Sequence, residues 1–151
     1  MAREKITKET TLRIRRRFAA SPEALFRAWT EPEQIKRWLA PTDEFSTPVA
    51  QVDLRVGGSY RIQMKSPEGK PHTAVGSYRT VDFPAKLVLT WDWQEQSIGE
   101  TVVTVEFREQ GNGTELTLTH ELFPDAKRRD HHDQVWNGCL DRLARALSVA
   151  E

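Results

Sequence analysis

The sequence predicts an α+β fold: a curved antiparallel sheet of about six to seven strands around one long C-terminal helix, with two short helices after the first strand. Three observations predict it. Residues 18–41, FAASPEALFRAWTEPEQIKRWLAP, end an alternating strand and then carry two short helical signatures, each with a tryptophan on its apolar side. From about residue 44 to 122 the chain reads as strand after strand, and short links between consecutive strands mean an antiparallel meander. The C-terminal segment then places apolar residues at the helical period. A sheet with one long helix and two plugging helices tends to enclose a pocket.

Each element has its own signal. In Thr11–Phe18, Leu12, Ile14 and Phe18 fall on one face and Arg13, Arg15 and Arg17 on the other, the pattern of a half-buried strand. Ser21-Pro22-Glu23 reads as a helix N-cap, first position and first-turn acid, and Leu25, Phe26 and Trp29 supply an apolar stripe. The second helix starts near Thr30–Pro32, where TEPE fits a capping box; it presents Ile35, Trp38 and Leu39 and stops at Pro41. Strands follow at about 58–66, 72–82, 86–95, 100–110 and 114–122, with another at about 44–56 whose alternation slips near Ala50, as a bulge would produce. Ser66-Pro67-Glu68-Gly69 suits a type I turn and Gly111-Asn112-Gly113 a hairpin connection. Asp125 caps a helix running to about Val149, with Val135, Trp136, Cys139, Leu140, Leu143, Ala146 and Leu147 on its apolar side. Gly138 inside that helix costs about 1 kcal/mol relative to Ala, so its missing side chain should serve close approach to the sheet or room for a ligand.

Composition bounds the function. The 151 residues read as one domain, 1–151, with 38% hydrophobic and 29% charged residues, ordinary for a globular chain. Lys+Arg and Asp+Glu balance at 22 each, giving no global attraction to nucleic acid or anionic membrane. Residues 1–17 are locally basic, with seven basic residues against two acidic ones, but no apolar stretch follows to make a signal peptide. No apolar run approaches the ~18 residues of a membrane span, and one cysteine, Cys139, allows no internal disulfide. The expected location is cytoplasmic.

The strand LRIRRRF, the segment SPEALFRAWTEPEQIKRWLAP, the strand pair VDLRVGGSYR, the run KLVLTW and the close HHDQVWNGCLDRLARAL occur in that order. From about Leu12 to Leu147 the chain thus resembles the family of homologues of the heat-shock-protein-90 ATPase activator, within the START/birch-pollen-allergen superfamily. The resemblance implies the helix-grip fold. It also implies a spread of roles, because the superfamily includes lipid carriers, hormone receptors and polyketide cyclases, and the activator's name adds a chaperone and the stress response. The true activators carry an additional N-terminal domain that does much of the chaperone binding, and one helix-grip domain accounts for this chain's length. Strong stimulation of a chaperone ATPase by the chain alone is therefore not expected.

Candidate functional residues follow from fold and pattern together. Trp91 and Trp93 share a face with Leu87 and Leu89, and Trp136 lies on the inner stripe of the last helix near Leu140 and Leu143. With Trp38 and Tyr60 they are expected to line an apolar cavity between helix and sheet; the plainer reading is that they fill the core, although each buried indole N–H then wants a partner. Arg16 shares the apolar face of its strand and His120 shares that of Leu116, Leu118 and Leu122. An inward Arg must meet a carboxylate, a carbonyl or a ligand anion. The two either close internal contacts or act as the convergent polar groups that orient a ligand. Asp130-His131-His132-Asp133 lacks the i,i+4 histidine pair of a helical zinc site and reads as an exposed face. No metal or cofactor site is expected, and Val56-Gly57-Gly58-Ser59 reads as a turn between strands, not a phosphate loop.

Three functions are carried forward. The first is a protein holding a hydrophobic or aromatic small molecule between the last helix and the sheet, at Arg16, Trp38, Tyr60, Trp91, Trp93, His120, Trp136, Leu140 and Leu143. The second is an interaction protein that contacts a chaperone through its surface. The third, ranked last, is a cyclase- or hydratase-type enzyme using Arg16 or His120. Nucleic-acid binding is set aside because Arg13, Arg15 and Arg17 have no interleaved aromatic face.

Overall fold

The computed structural model describes residues 10–149. Its elements are β1 (Thr11–Phe18), α1 (Pro22–Thr30), α2 (Pro32–Trp38), β2 (Ser46–Val52), β3 (Ser59–Lys65), β4 (Pro71–Asp82), β5 (Lys86–Trp93), β6 (Thr101–Gln110), β7 (Gly113–Glu121) and α3 (Ala126–Val149). All strands join one antiparallel sheet in the order β1-β7-β6-β5-β4-β3-β2. The meander from β2 to β7 lies in sequence order, and β1 adds to β7 at the far edge, so the helices α1 and α2 carry the chain from one edge of the sheet to the other. The expected α+β architecture is the observed one.

The turns close as their residues require. Gly69 adopts a positive φ of 84° while its N–H donates to the Ser66 carbonyl at 2.8 Å. Gly111 and Asn112 link Gln110 to Gly113, which face each other across the β6–β7 ladder. Asp125 caps α3 by accepting from the Arg128 N–H at 2.8 Å, and Ser21 caps α1 by accepting from the Ala24 N–H at 3.1 Å.

Two local readings are corrected. The capping box TEPE does not form: Glu31 is the N-cap of α2 and makes no side-chain cap bond, because Thr30 still belongs to α1 and its hydroxyl donates back to the Phe26 carbonyl at 2.9 Å. Strand β2 is shorter than expected, while the expected irregularity near Ala50 is present, as a register shift between Ser46 and Val49. Beyond Val52 the chain tightens into a loop in which the N–H groups of Arg55 and Gly58 donate to the Asp53 and Arg55 carbonyls, which ends the ladder.

Gly138 has a clear structural reason. A Cβ there would lie 2.1 Å from the Pro41 carbonyl oxygen, so the loop after α2 crosses directly over the helix backbone. The close approach is to this loop, not to the sheet or a ligand. Around the crossing, Arg142 donates to the Trp38 and Arg37 carbonyls and pairs with Asp43, which also binds Arg145. These contacts fix α2 against α3 and hold the concave face of the sheet closed over one continuous core.

Candidate functional site

The seam between α3 and the concave face of the sheet is filled. Trp91 on β5 meets Trp136 on α3 at a ring separation of 5.1 Å, Trp93 at 5.7 Å and Tyr60 at 6.1 Å, and Trp136 stacks on Trp29 at 5.6 Å. The expected ligand-sized cavity is absent here. The seam keeps a void of about 10 Å³ among Leu39, Met64, Trp91, Trp93, His132, Val135, Trp136 and Cys139. That is room for about one water molecule at most. The physical reason is the size and number of the indoles: Trp29, contributed by α1, adds a fourth indole to the three that the sheet and α3 supply.

The polar groups of the seam bind one another. The Trp136 indole N–H donates to His120 Nδ1 at 3.0 Å, which places the ring proton on Nε2. Nε2 then donates to Thr101 Oγ1 at 2.7 Å, and the Thr101 hydroxyl passes its own proton to the Trp91 carbonyl at 2.6 Å. A second pair repeats the device: the Trp93 indole N–H donates to His132 Nε2 at 2.9 Å, and His132 Nδ1 donates to the Arg128 carbonyl at 2.8 Å. Burial pulls both imidazoles below the ordinary histidine range, His120 furthest, and each is further disfavoured as a cation by a neighbouring histidine. The Asp130–Asp133 stretch is therefore corrected in part: His131 is exposed, but His132 is buried, because it shares a helical stripe with Trp136, Cys139 and Leu143. The indole N–H groups of Trp91 and Trp29 are buried without a partner.

The remaining sequence-predicted residues scatter. Arg16 reaches past the sheet edge to α3, donating to Asp141 Oδ1 at 2.6 Å and to the backbone carbonyl and side chain of Asn137. It pairs across the ladder with Leu116, whereas His120 pairs with Leu12 four residues along β1. The two are thus about 13 Å apart along the strand and do not form one acid/base unit. Trp38 packs edge-on against Trp29 and donates to the Ala28 carbonyl at 2.9 Å, between α1 and α2. Tyr60 donates to the Thr90 carbonyl at 2.6 Å, and burial holds its phenol well above the usual range. Leu140 and Leu143 are fully buried in the core, and burial pushes the Cys139 thiol up to about 12. Trp91, Trp93 and Trp136 alone of the predicted set gather at the residual void.

The open concavity lies elsewhere. A groove of about 370 Å³ runs between α1, the α1–α2 corner and the ends of β2 and β4. Phe26, Val52, Leu54, Val81 and Phe83 form its walls, Thr30 and Pro32 close one end, and Arg27 and Glu31 stand on its rim. Leu54 and Phe83 are 40% and 50% exposed, unusual for large apolar side chains. Phe83 meets the edge of Phe26 at 5.2 Å, and the Arg27 guanidinium lies 5.3 Å from the Phe83 ring centre. Sequence reasoning missed this groove. Its one legible sign is Phe83, an aromatic beside a proline in the β4–β5 turn, where water-exposed polar residues are the rule.

No group of His, Cys, Asp or Glu among the described residues is arranged to hold a metal, and no described helix is long and apolar enough to cross a membrane. Among curated proteins no match is found. Among solved structures, the chain is similar to a protein from Chromobacterium violaceum at 26% identity, TM-score 0.83, covering 90% of this chain and 95% of that one. It is similar to the AHSA1 protein from Silicibacter pomeroyi at 25% identity, TM-score 0.83, covering 93% and 99%. It is also similar to an AHSA1-like protein from Aeromonas hydrophila at 25% identity, TM-score 0.76, covering 93% of each chain. A family model described as Activator of Hsp90 ATPase homolog 1-like protein matches residues 19–148, a span that takes in the α1–α2 corner, six of the seven strands and nearly all of α3. With the helix-grip sheet closed over α3 and the match running through all but β1, the chain belongs to the AHSA1-like family of the START/birch-pollen-allergen superfamily.

Proposed function

We propose that this protein binds a hydrophobic or aromatic small molecule, and that the ligand occupies the groove between α1 and the ends of β2 and β4. The groove's volume carries the reading: about 370 Å³ falls within the ~300–1,000 Å³ of small-molecule sites, against about 10 Å³ in the seam under α3. Its walls are apolar and its few polar groups are on the rim, the usual division between binding energy and orientation. A ligand in the seam would instead have to displace Trp91 or Trp136 from a close-packed cluster, forfeiting contacts on both sides.

Calorimetric titration with 2-naphthaleneacetamide tests the site. Wild-type protein should bind this flat neutral probe, and Leu54→Ser should weaken binding several-fold without unfolding the chain, since Leu54 is 40% exposed. Binding undiminished by Leu54→Ser would place the ligand elsewhere, and no binding at high micromolar concentration of this probe or of a charged analogue with the same apolar body would remove the groove as a site.

A second reading has its own observation. Arg13, Arg15 and Arg17 stand exposed along one face of β1; Arg13 and Arg17 bond the neutral groups Thr119, Gln110 and Asn112, and none pairs with a carboxylate among the described residues. Such a face suits an acidic protein surface, and the family's name makes a chaperone the first partner to try. ATP turnover by the cognate chaperone, measured at low and high salt with and without this protein, checks it. A salt-sensitive, several-fold rise would move this reading to first place.

A further inference from the structure

The groove's rim carries two opposite charges, Arg27 and Glu31, and only Arg27 lies over the aromatic wall. Arg27 is an exposed cation in the last turn of α1, at the lip of an otherwise apolar cleft. Among the described residues it makes no ion pair, and its guanidinium lies over the Phe83 ring, 5.3 Å from the centroid. No hydrogen bond from this guanidinium is formed among the described residues, and a cation held against an aromatic ring keeps N–H groups that can donate to an incoming anion. Neither neighbouring acid pairs with Arg27: Glu31, on the same rim, accepts from Gln34 Nε2 at 2.8 Å through Oε1 and keeps its charge, and Asp82 sits opposite Lys86 in the β4–β5 ladder.

Resting on the groove reading above, we infer that the ligand is an apolar monocarboxylate. Its hydrocarbon or aryl body lies against Phe26, Val52, Leu54, Val81 and Phe83, and its carboxylate receives two N–H donors from Arg27. A guanidinium fork matches a carboxylate in two parallel hydrogen bonds, and at the mouth of an apolar cleft those bonds are partly shielded from water. A plain helix-terminal role for Arg27 would complement the α1 dipole equally well. It would not distinguish an acid from its amide, so the two accounts separate by experiment.

The experiment compares 2-naphthaleneacetate with 2-naphthaleneacetamide, which share one apolar body and differ in one charge. Titrated calorimetrically into the wild-type protein at low salt, the acid should bind about tenfold more tightly than the amide or better, the range for hydrogen bonds to a charged group. That ratio should shrink as salt is raised. In Arg27→Gln the ratio should fall toward one, and in Glu31→Gln it should rise as the competing charge leaves the rim. Denaturant midpoints close to wild type would show that both variants fold. Equal affinities for acid and amide in the wild type would overturn the inference while leaving the groove reading intact. A preference that survives Arg27→Gln would overturn it as well, assigning the charge recognition to another cation. Binding of neither probe would fail the groove reading and the inference with it.

Discussion

His120 and His132 are held neutral first by burial, and the groups that donate to them need that neutral form. An indole N–H needs an acceptor, and an imidazole offers one only while a ring nitrogen is unprotonated, so Trp136 and Trp93 each fix a histidine tautomer. The two imidazoles lie 5.4 Å apart in a buried seam, and Arg128, whose carbonyl holds His132, adds a positive charge nearby. With folded-state values below the unfolded value of about 6.5, the unfolded chain binds more protons as pH falls through that value. Stability is therefore fully present above about pH 6.5 and declines below it, by up to about 1.4 kcal/mol per pH unit for each histidine. Urea midpoints measured from pH 8 to pH 4.5 should show this decline, and His132→Gln should flatten part of it. A flat profile above pH 5 would refute the assignment. In the sequence, His120 stood out as a polar residue on an apolar face; its partners, from β6 and α3, did not, because spacing along one strand carries no information about which indole arrives from another element.

At the scale of elements, the contacts that matter are those where α3 meets its neighbours. Gly138→Ala would gain about 1 kcal/mol of helix propensity in isolation. Here the added Cβ would strike the Pro41 carbonyl, a backbone atom that cannot rotate away. The variant should be less stable than wild type by about 1–3 kcal/mol, the usual cost of overpacking, as read by denaturant unfolding; a more stable variant would show that the loop yields freely. Arg16 clamps β1 to α3 through Asp141, but the pair is partly exposed, with side chains 26% and 65% accessible. Arg16→Met should accordingly cost no more than about 1 kcal/mol, and a larger loss would mean that the bonds to Asn137 carry the junction. Element types and order were legible because each carried its own period and caps. The failed capping box after Thr30 shows the limit: a motif of four residues fits, yet α1 keeps Thr30 for its own last turn.

For the molecule as a whole, the filled seam and the open groove predict different spectroscopy. Trp29, Trp91 and Trp136 form one ring cluster under α3, while the groove is walled by phenylalanines and aliphatic residues. A groove ligand that does not absorb in the tryptophan emission band, such as decanoate, should raise the thermal midpoint and leave tryptophan emission nearly unchanged. Strong quenching or a large spectral shift on binding would instead place the ligand among the indoles and revive the seam as the site. The sequence by itself determined the α+β class, the strand order along the chain, the caps of α1 and α3 and the turns, since these rest on short-range periodicity and local backbone chemistry, and its ordered motifs carried the resemblance to the family. The tertiary structure alone decided whether the helix grips a cavity or a packed core. That outcome depends on how Trp29 from α1, Trp91 from β5 and Trp136 from α3 share one volume. The groove is equally a tertiary product, because Arg27, Leu54 and Phe83 come from separate elements and meet only when the chain has returned across the sheet.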